Sequence, residues 1–264
     1  MCLAVIALDV HPRYRVVAAA NRDEFHARPT QPAHWWSDVT PPILAGRDLR
    51  QGGTWLGVTP AGRFAFVTNV REPARHDPAA PSRGALVPAL LRDARPVEAA
   101  MASVVAATRA YNGFNLVAVD VSTGGAFGSN RGPAEAQSLR AGVYGVSNAG
   151  LDTPWPKLVR AKSGVGAWLA AGDEAIDALW PVLADTTRAP DEALPRTGIA
   201  RERERLLSSP FIMSDDYGTR SSTIVTIDRS GRVRFVERSY DAAGALTGEV
   251  AFRFALGQSE RSIA

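Results

Sequence analysis

Cysteine is almost missing from this chain. One occurs in 264 residues, at position 2 of the opening MCLAVIALDV, so no intramolecular disulfide framework can form. That fits a reducing compartment. Long apolar runs are missing too: no stretch approaches the roughly 18 apolar residues of a membrane-crossing helix. Asp9 interrupts the apolar opening and no basic segment precedes it, which argues against a secretory signal. Position 2 is not glycine, which excludes N-myristoylation. Charge of one sign is scarce: 30 basic residues, nearly all arginine, face 27 acidic ones for a net +3. Without a dense basic run interleaved with aromatics, nucleic acid is not an expected partner. The histidines at 11, 26, 34 and 76 show no metal spacing and read as surface or loop residues. A phosphate-cradling glycine loop is also absent. The expectation is a cytoplasmic protein with no transmembrane segment, no metal and no required cofactor.

What is present is ordinary globular material, 45% apolar and 22% charged, enough for a sizeable core. Leu3–Leu8 and Tyr14–Ala20 read as paired strands around the turn DVHPR, with Asn21 at the exit of the second. Pro29–Pro42, proline-rich with Trp35 and Trp36, reads as an irregular excursion. Trp55–Thr59 and Arg63–Val70 form a hairpin. From Gly84 the spacing turns helical, and Pro96 starts a second helix. Strands return at Phe114–Val121 and Ala141–Ser147. A helical block spans Pro156–Ala184, broken near Gly172, and a short one spans Arg201–Leu207. Ser222–Asp228, Arg232–Arg238 and Glu249–Phe254 close the chain as strands. Gly124, Gly125 and Gly128 read as a turn region. Hairpins grouped between helical blocks predict an α+β protein of antiparallel sheets covered by helices, not a parallel sheet. One domain over 1–257 is expected, with 258–264 a disordered tail.

The single thiol raises a chemical question. Once the bond before Cys2 is cut, one carbon carries both a thiol, with a free pKa of about 8.5, and an α-amine near about 7.7–8.0. Such a residue can use its own amine as the base for nucleophilic attack. The attack needs preorganised donors for the oxyanion, a carboxylate to hold the amine, and an arginine to favour the thiolate or bind a substrate carboxylate. Candidates stand at the expected ends of strands, Asn21 to Glu24, Asn69 and Asn148, and just before one, Arg220. Each also has a plainer reading, as a turn residue, a cap or a surface pair. Trp35, Trp36, Trp55 and Trp155 read as core.

The stretches AANRDEF, GGTWLGV, FVTNVRE, GFNLV, SNAGLDTPWPK and YGTRSSTI occur in that order. With Cys2 they resemble the NRDE-motif family, also called the transport and Golgi organisation family. The resemblance implies the four-layer αββα sandwich of amino-terminal nucleophile hydrolases. It also points to the cysteine-type members of that superfamily, among them bile salt hydrolases, penicillin V acylases and isopenicillin acyltransferases. On it, Cys2 is the nucleophile and Asp23 orients the terminal amine. Asn69 serves the oxyanion hole, Asn148 is the second asparagine and Arg220 the late arginine. The amidases carry their first arginine ahead of the Asn–x–Asp unit, where this chain has Ala20. Arg22 lies inside that unit.

Two functions from different classes follow. One is an amidohydrolase or acyltransferase using Cys2 on a small amide or acyl substrate. The other is a non-catalytic carrier on the same scaffold, binding haem or a lipid-like ligand, with Cys2 or a histidine as the axial group for haem.

Overall fold

The computed structural model describes residues 3–108, 110–132, 136–172 and 174–257. Cys2 and the tail 258–264 lie outside the described residues. Among the described residues, thirteen strands form two antiparallel sheets. The first six strands are β1 (Leu3–Leu8), β2 (Tyr14–Phe25), β3 (Thr30–Trp36), β4 (Ile43–Asp48), β5 (Leu56–Val58) and β6 (Arg63–Asn69). Next come β7 (Phe114–Asp120), β8 (Gly124–Ser129), β9 (Gln137–Leu139) and β10 (Gly142–Val146). The last three are β11 (Tyr217–Asp228), β12 (Arg232–Tyr240) and β13 (Leu246–Ala255). The helices are α1 (Leu86–Arg92), α2 (Val97–Ala107), α3 (Pro156–Ala171), α4 (Trp180–Leu183) and α5 (Arg201–Leu206). Sheet order is β10-β1-β2-β11-β12-β13 in one sheet and β3-β4-β5-β6-β7-β8-β9 in the other.

Alternation along each strand sorts side chains into three apolar layers. Ala4, Ile6, Ala18 and Phe235 of the first sheet meet Leu56, Phe64, Phe66 and Val117 of the second. The opposite face of the second sheet, Ile43, Ala65 and Leu116, packs on Leu90 and Met101 of α1 and α2. The opposite face of the first, Leu3, Val5 and Val17, packs on Leu158, Val165 and Leu183 of α3 and α4. The order is helix, sheet, sheet, helix: the expected αββα sandwich. Pro96 lies immediately before α2, and Gly172, at φ 64°, ends α3 in the left-handed conformation that glycine adopts without strain.

Several local expectations are corrected. β2 runs on to Phe25, so Asn21–Glu24 lie within the strand; pairing with β11, Asn21 to Ser222 and Phe25 to Tyr217, carries it past the apolar run. The Pro29–Pro42 stretch contains β3. It is an edge strand, and Pro32 sits in the register shift between Gln31 and His34, where no ladder N–H is required. Gly124, Gly125 and Gly128 belong to β8, and a Cβ at Gly128 would come 2.6 Å from Val105 of α2. Here glycine marks close packing. β11 starts at Tyr217, which places Arg220 inside a strand. His11 is buried: its Nδ1 accepts from the Arg13 amide at 3.1 Å and its ring stacks on Trp168 at 5.0 Å. Among the described residues no helix is long and apolar enough to cross a membrane.

Candidate active site

The end of β2 supplies two sides of the molecule at once. Successive residues of a strand face opposite ways, and Asn21 and Asp23 point toward the helices. Asn21 Nδ2 donates to the carbonyls of Leu183 at 2.8 Å and Pro210 at 2.9 Å, while its Oδ1 accepts from Ser222 Oγ at 2.6 Å. Every polar atom of that amide is engaged in holding structure. Asp23, 3% exposed, accepts from Thr219 Oγ1 at 2.7 Å and stands 4.0 Å from Lys157 Nζ.

Arg22 and Glu24 point between the sheets. The Arg22 guanidinium lies 4.3 Å over the Trp55 ring, donates to Thr30 Oγ1 at 3.2 Å and stands 3.9 Å from Glu24. Burial pulls its pKa below the ordinary arginine value, opposed by Glu24 and Asp48. Arg28, next along this wall, is held above its ordinary value by hydrogen bonding to Asp48 Oδ2, at 2.5 and 3.1 Å.

Asn148, in the segment after β10, reaches across to the other sheet. Its Nδ2 donates to the Asn69 carbonyl at 2.9 Å, and its own carbonyl accepts from the Arg71 amide at 2.8 Å. Its Oδ1 accepts from Lys157 Nζ at 3.1 Å and Arg71 Nη2 at 3.5 Å. Arg71 is anchored in turn by buried Glu204 at 2.6 Å and lies 4.8 Å over Trp155. Ala149 accepts from Asn115 Nδ2 at 2.6 Å. These bonds stitch a loop of the first sheet onto the end of β6.

Two clefts meet at that seam and share Asn69, His76, Arg83 and Asn112. The first, about 340 Å³, is polar, with Arg22, Glu24, Arg28, Asp48 and Trp55 in its wall. Arg83 is delivered to it by a close backbone approach. Thr54 N donates to the Gly84 carbonyl at 3.0 Å, and a Cβ at Gly53 would come 2.4 Å from Gly84. The second, about 390 Å³, has Asp23, Asn69, Asn148 and Lys157 at one end and Phe25, Val70, Leu207, Ile212 and Tyr217 along its apolar side.

The structure therefore gathers Asp23, Asn69 and Asn148 on one cleft, with Arg22 on the adjoining one. Arg220 lines neither. It is the extra residue of a β-bulge between Thr219 and Ser221. Its Nη1 donates to the carbonyls of Phe25 and His26 at 3.0 Å and of Arg28 at 3.2 Å, which clamps the turn that follows β2. Leu3, the chain neighbour of Cys2, pairs with Asn21.

Sequence reasoning missed Lys157, Arg71, Arg83 and the Arg22–Trp55 stack. Lys157 had a signal. A lysine beside proline in a first helical turn opposes the helix dipole, and such a misfit asks for a reason. The other three depend on contacts between distant segments. Among the described residues no three His, Cys, Asp or Glu side chains gather to hold a metal.

Comparison with known proteins adds to this geometry. The family model described as transport and Golgi organisation 2 matches residues 1–242. The chain is 36% identical over 260 residues to the transport and Golgi organization protein 2 homolog of Bos taurus, covering 90% of this chain and 93% of that protein. It is 26% identical over 264 residues to transport and Golgi organization protein 2 of Drosophila melanogaster, covering 90% and 92%. Among solved structures, a mutant of the conjugated bile acid hydrolase from Clostridium perfringens superposes with a TM-score of 0.51 at 10% identity, over 98% of this chain and 94% of that one. The fold is shared with amino-terminal nucleophile hydrolases.

Proposed function

The chain belongs to the transport and Golgi organisation 2 family, and from that premise we propose that it is an acyl-transferring hydrolase using Cys2 as an amino-terminal nucleophile. The observation that carries this reading is the gathering of Asp23, Asn69 and Asn148 on one cleft, beside the strand that begins at Leu3. Cleavage of the bond before Cys2 frees its α-amine. The amine takes the thiol proton, and Sγ bonds to the carbonyl carbon of a small amide or acyl compound. The oxyanion is met by the Asn69 amide and a backbone N–H. The carbon–nitrogen bond breaks, the departing amine takes the proton, and a thioester remains on Cys2. Water then attacks the thioester and the carboxylic acid leaves. Asp23 holds the terminal amine, and the apolar side of the second cleft takes the acyl group. A reducing, cytoplasmic setting keeps the thiol available.

A second reading draws on the same apolar wall: carriage of a haem or lipid-like ligand without turnover, with His76 or Cys2 as the ligand to haem iron. Intact-mass spectrometry separates the two. After incubation with 4-nitrophenyl acetate, the hydrolase reading expects loss of Met1 and one acetyl group on Cys2, absent in Cys2→Ala. A protein that retains Met1 yet turns the ester over refutes the terminal-amine mechanism. Saturable haem binding without any acyl adduct points to the carrier.

A further inference from the structure

Lys157 is placed where a lysine is hardest to accommodate. It is 1% exposed and sits in the first turn of α3, immediately after Pro156. Burial strips its ammonium of water, and the positive end of the helix opposes it. An apolar side chain of similar length would pack there without either cost. Real sequences break such rules chiefly at functional sites. The contacts show what the cost sustains. Nζ donates to Asn148 Oδ1 at 3.1 Å and faces Asp23 Oδ2 at 4.0 Å. The bond to Oδ1 fixes which way the Asn148 amide points, so that Nδ2 meets the Asn69 carbonyl. One ammonium thus joins the carboxylate of β2 to the asparagine at the end of β6, across two sheets.

We propose that Lys157 is the positioning residue of this site, setting the Asn148–Asn69 seam and balancing Asp23 so that the reactivity of Cys2 depends on its charge. The inference rests on the reading of Cys2 as nucleophile. A cation in the site favours thiolate over thiol. Without it, Asp23 loses one cation that faces it, the site becomes more negative and the thiol holds its proton more tightly. Among the described residues, the titratable and charged groups that share the cleft with the ammonium include Asp23 from β2, Arg71 and Glu72 from the segment after β6, His76 and Arg83 further along it, and Arg203 of α5.

The chain's single cysteine makes the test specific. Iodoacetamide alkylates Sγ with loss of iodide, and intact mass follows the rate as a function of pH, for native protein, Lys157→Met and Lys157→Arg, all below their melting temperatures. Urea-unfolded protein is the reference. Native protein is expected to label faster than the unfolded chain at pH 7. Lys157→Met should lose about tenfold, with its labelling midpoint moved to higher pH by about one unit, and Lys157→Arg should stay within a few-fold of native. Fast native labelling with an unshifted Lys157→Met profile overturns the inference and leaves the hydrolase reading standing. Native labelling no faster than the unfolded chain removes that reading, and the inference falls with it. If Lys157→Met does not fold, Lys157→Gln is read by the same criteria.

Discussion

Two of the regions where this molecule buries charge treat it in opposite ways. Inside the sandwich, Glu237 of β12 is fully buried. Its Oε1 accepts from the Ala33 amide at 2.8 Å and its Oε2 from Thr223 Oγ1 at 3.2 Å. Those donors are neutral, and burial pushes the carboxyl up to about 7, with the hydrogen bonds and Arg22 pulling the other way. At the end of β2, acids are instead matched by cations: Asp23 faces Lys157, Asp48 takes Arg28, and Glu24 stands between Arg22 and Arg28. The interior tolerates a carboxyl by letting it take up a proton. The cleft keeps charged groups and arranges them in pairs around an opening. Retained, paired charge beside a cavity is what chemistry on a polar bond requires.

The largest effect should come from removing the proposed nucleophile. Cys2→Ala is expected to abolish both acetyl transfer from 4-nitrophenyl acetate to the protein and release of 4-nitrophenolate above the buffer rate. Next comes Asn69→Leu, which removes an oxyanion donor while leaving the fold-holding carbonyl of residue 69 in place. Its kcat on the same ester should drop by about 10²–10³-fold with KM little changed. An equal rise in KM with kcat preserved would assign Asn69 to binding instead.

The interior half of the comparison is broken by Glu237→Gln. A folded pKa of about 7 against 4.5 means that folding takes up a proton between those values. Stability is therefore full below pH 4.5 and falls as pH rises through 7, by about 3 kcal/mol in all. Urea midpoints of native protein should drop between pH 5 and pH 8, and those of Glu237→Gln should stay level. Arg22→Met tests the paired region for stability alone. Losing the stack on Trp55 and the bond to Thr30 should cost about 1–2 kcal/mol in urea unfolding. The smallest effect belongs to the surface. Arg238 and Glu249, an exposed pair on β12 and β13, should give less than about 0.5 kcal/mol on Glu249→Gln.

Much of the architecture was legible because it is written in short-range periodicity. Leu3–Leu8, Arg63–Asn69 and the helices after Gly84 and Pro156 announce themselves through local spacing. β3 did not, because Pro32 and the tryptophans mimic a loop until an edge and a bulge accommodate them. β8 was hidden by its glycines, which look like turn residues until Val105 and Met101 lie against Gly128, and Leu139 and Leu8 against Gly125. In the site, Asp23, Asn69 and Asn148 were found because they stand near strand ends in motifs that resemble a known family. Arg220 was legible as a residue and not as a partner, since its guanidinium holds backbone carbonyls of a turn nearly two hundred positions earlier.

By itself the sequence determined the alternating blocks of strands and helices, the antiparallel layering, and the supply of one thiol, two acids and three amides near strand ends. These follow from alternation, propensity and composition, which act over a few residues. Only the tertiary structure decided that Asn21 is spent on Leu183 and Pro210, that Lys157 rather than an arginine faces Asp23, and that Glu237 is sealed between sheets. Charge pairing and desolvation depend on what lies within a few ångströms in space, and the deciding neighbours here, Leu183 for Asn21, Lys157 for Asp23 and Ala33 for Glu237, are more than a hundred positions away.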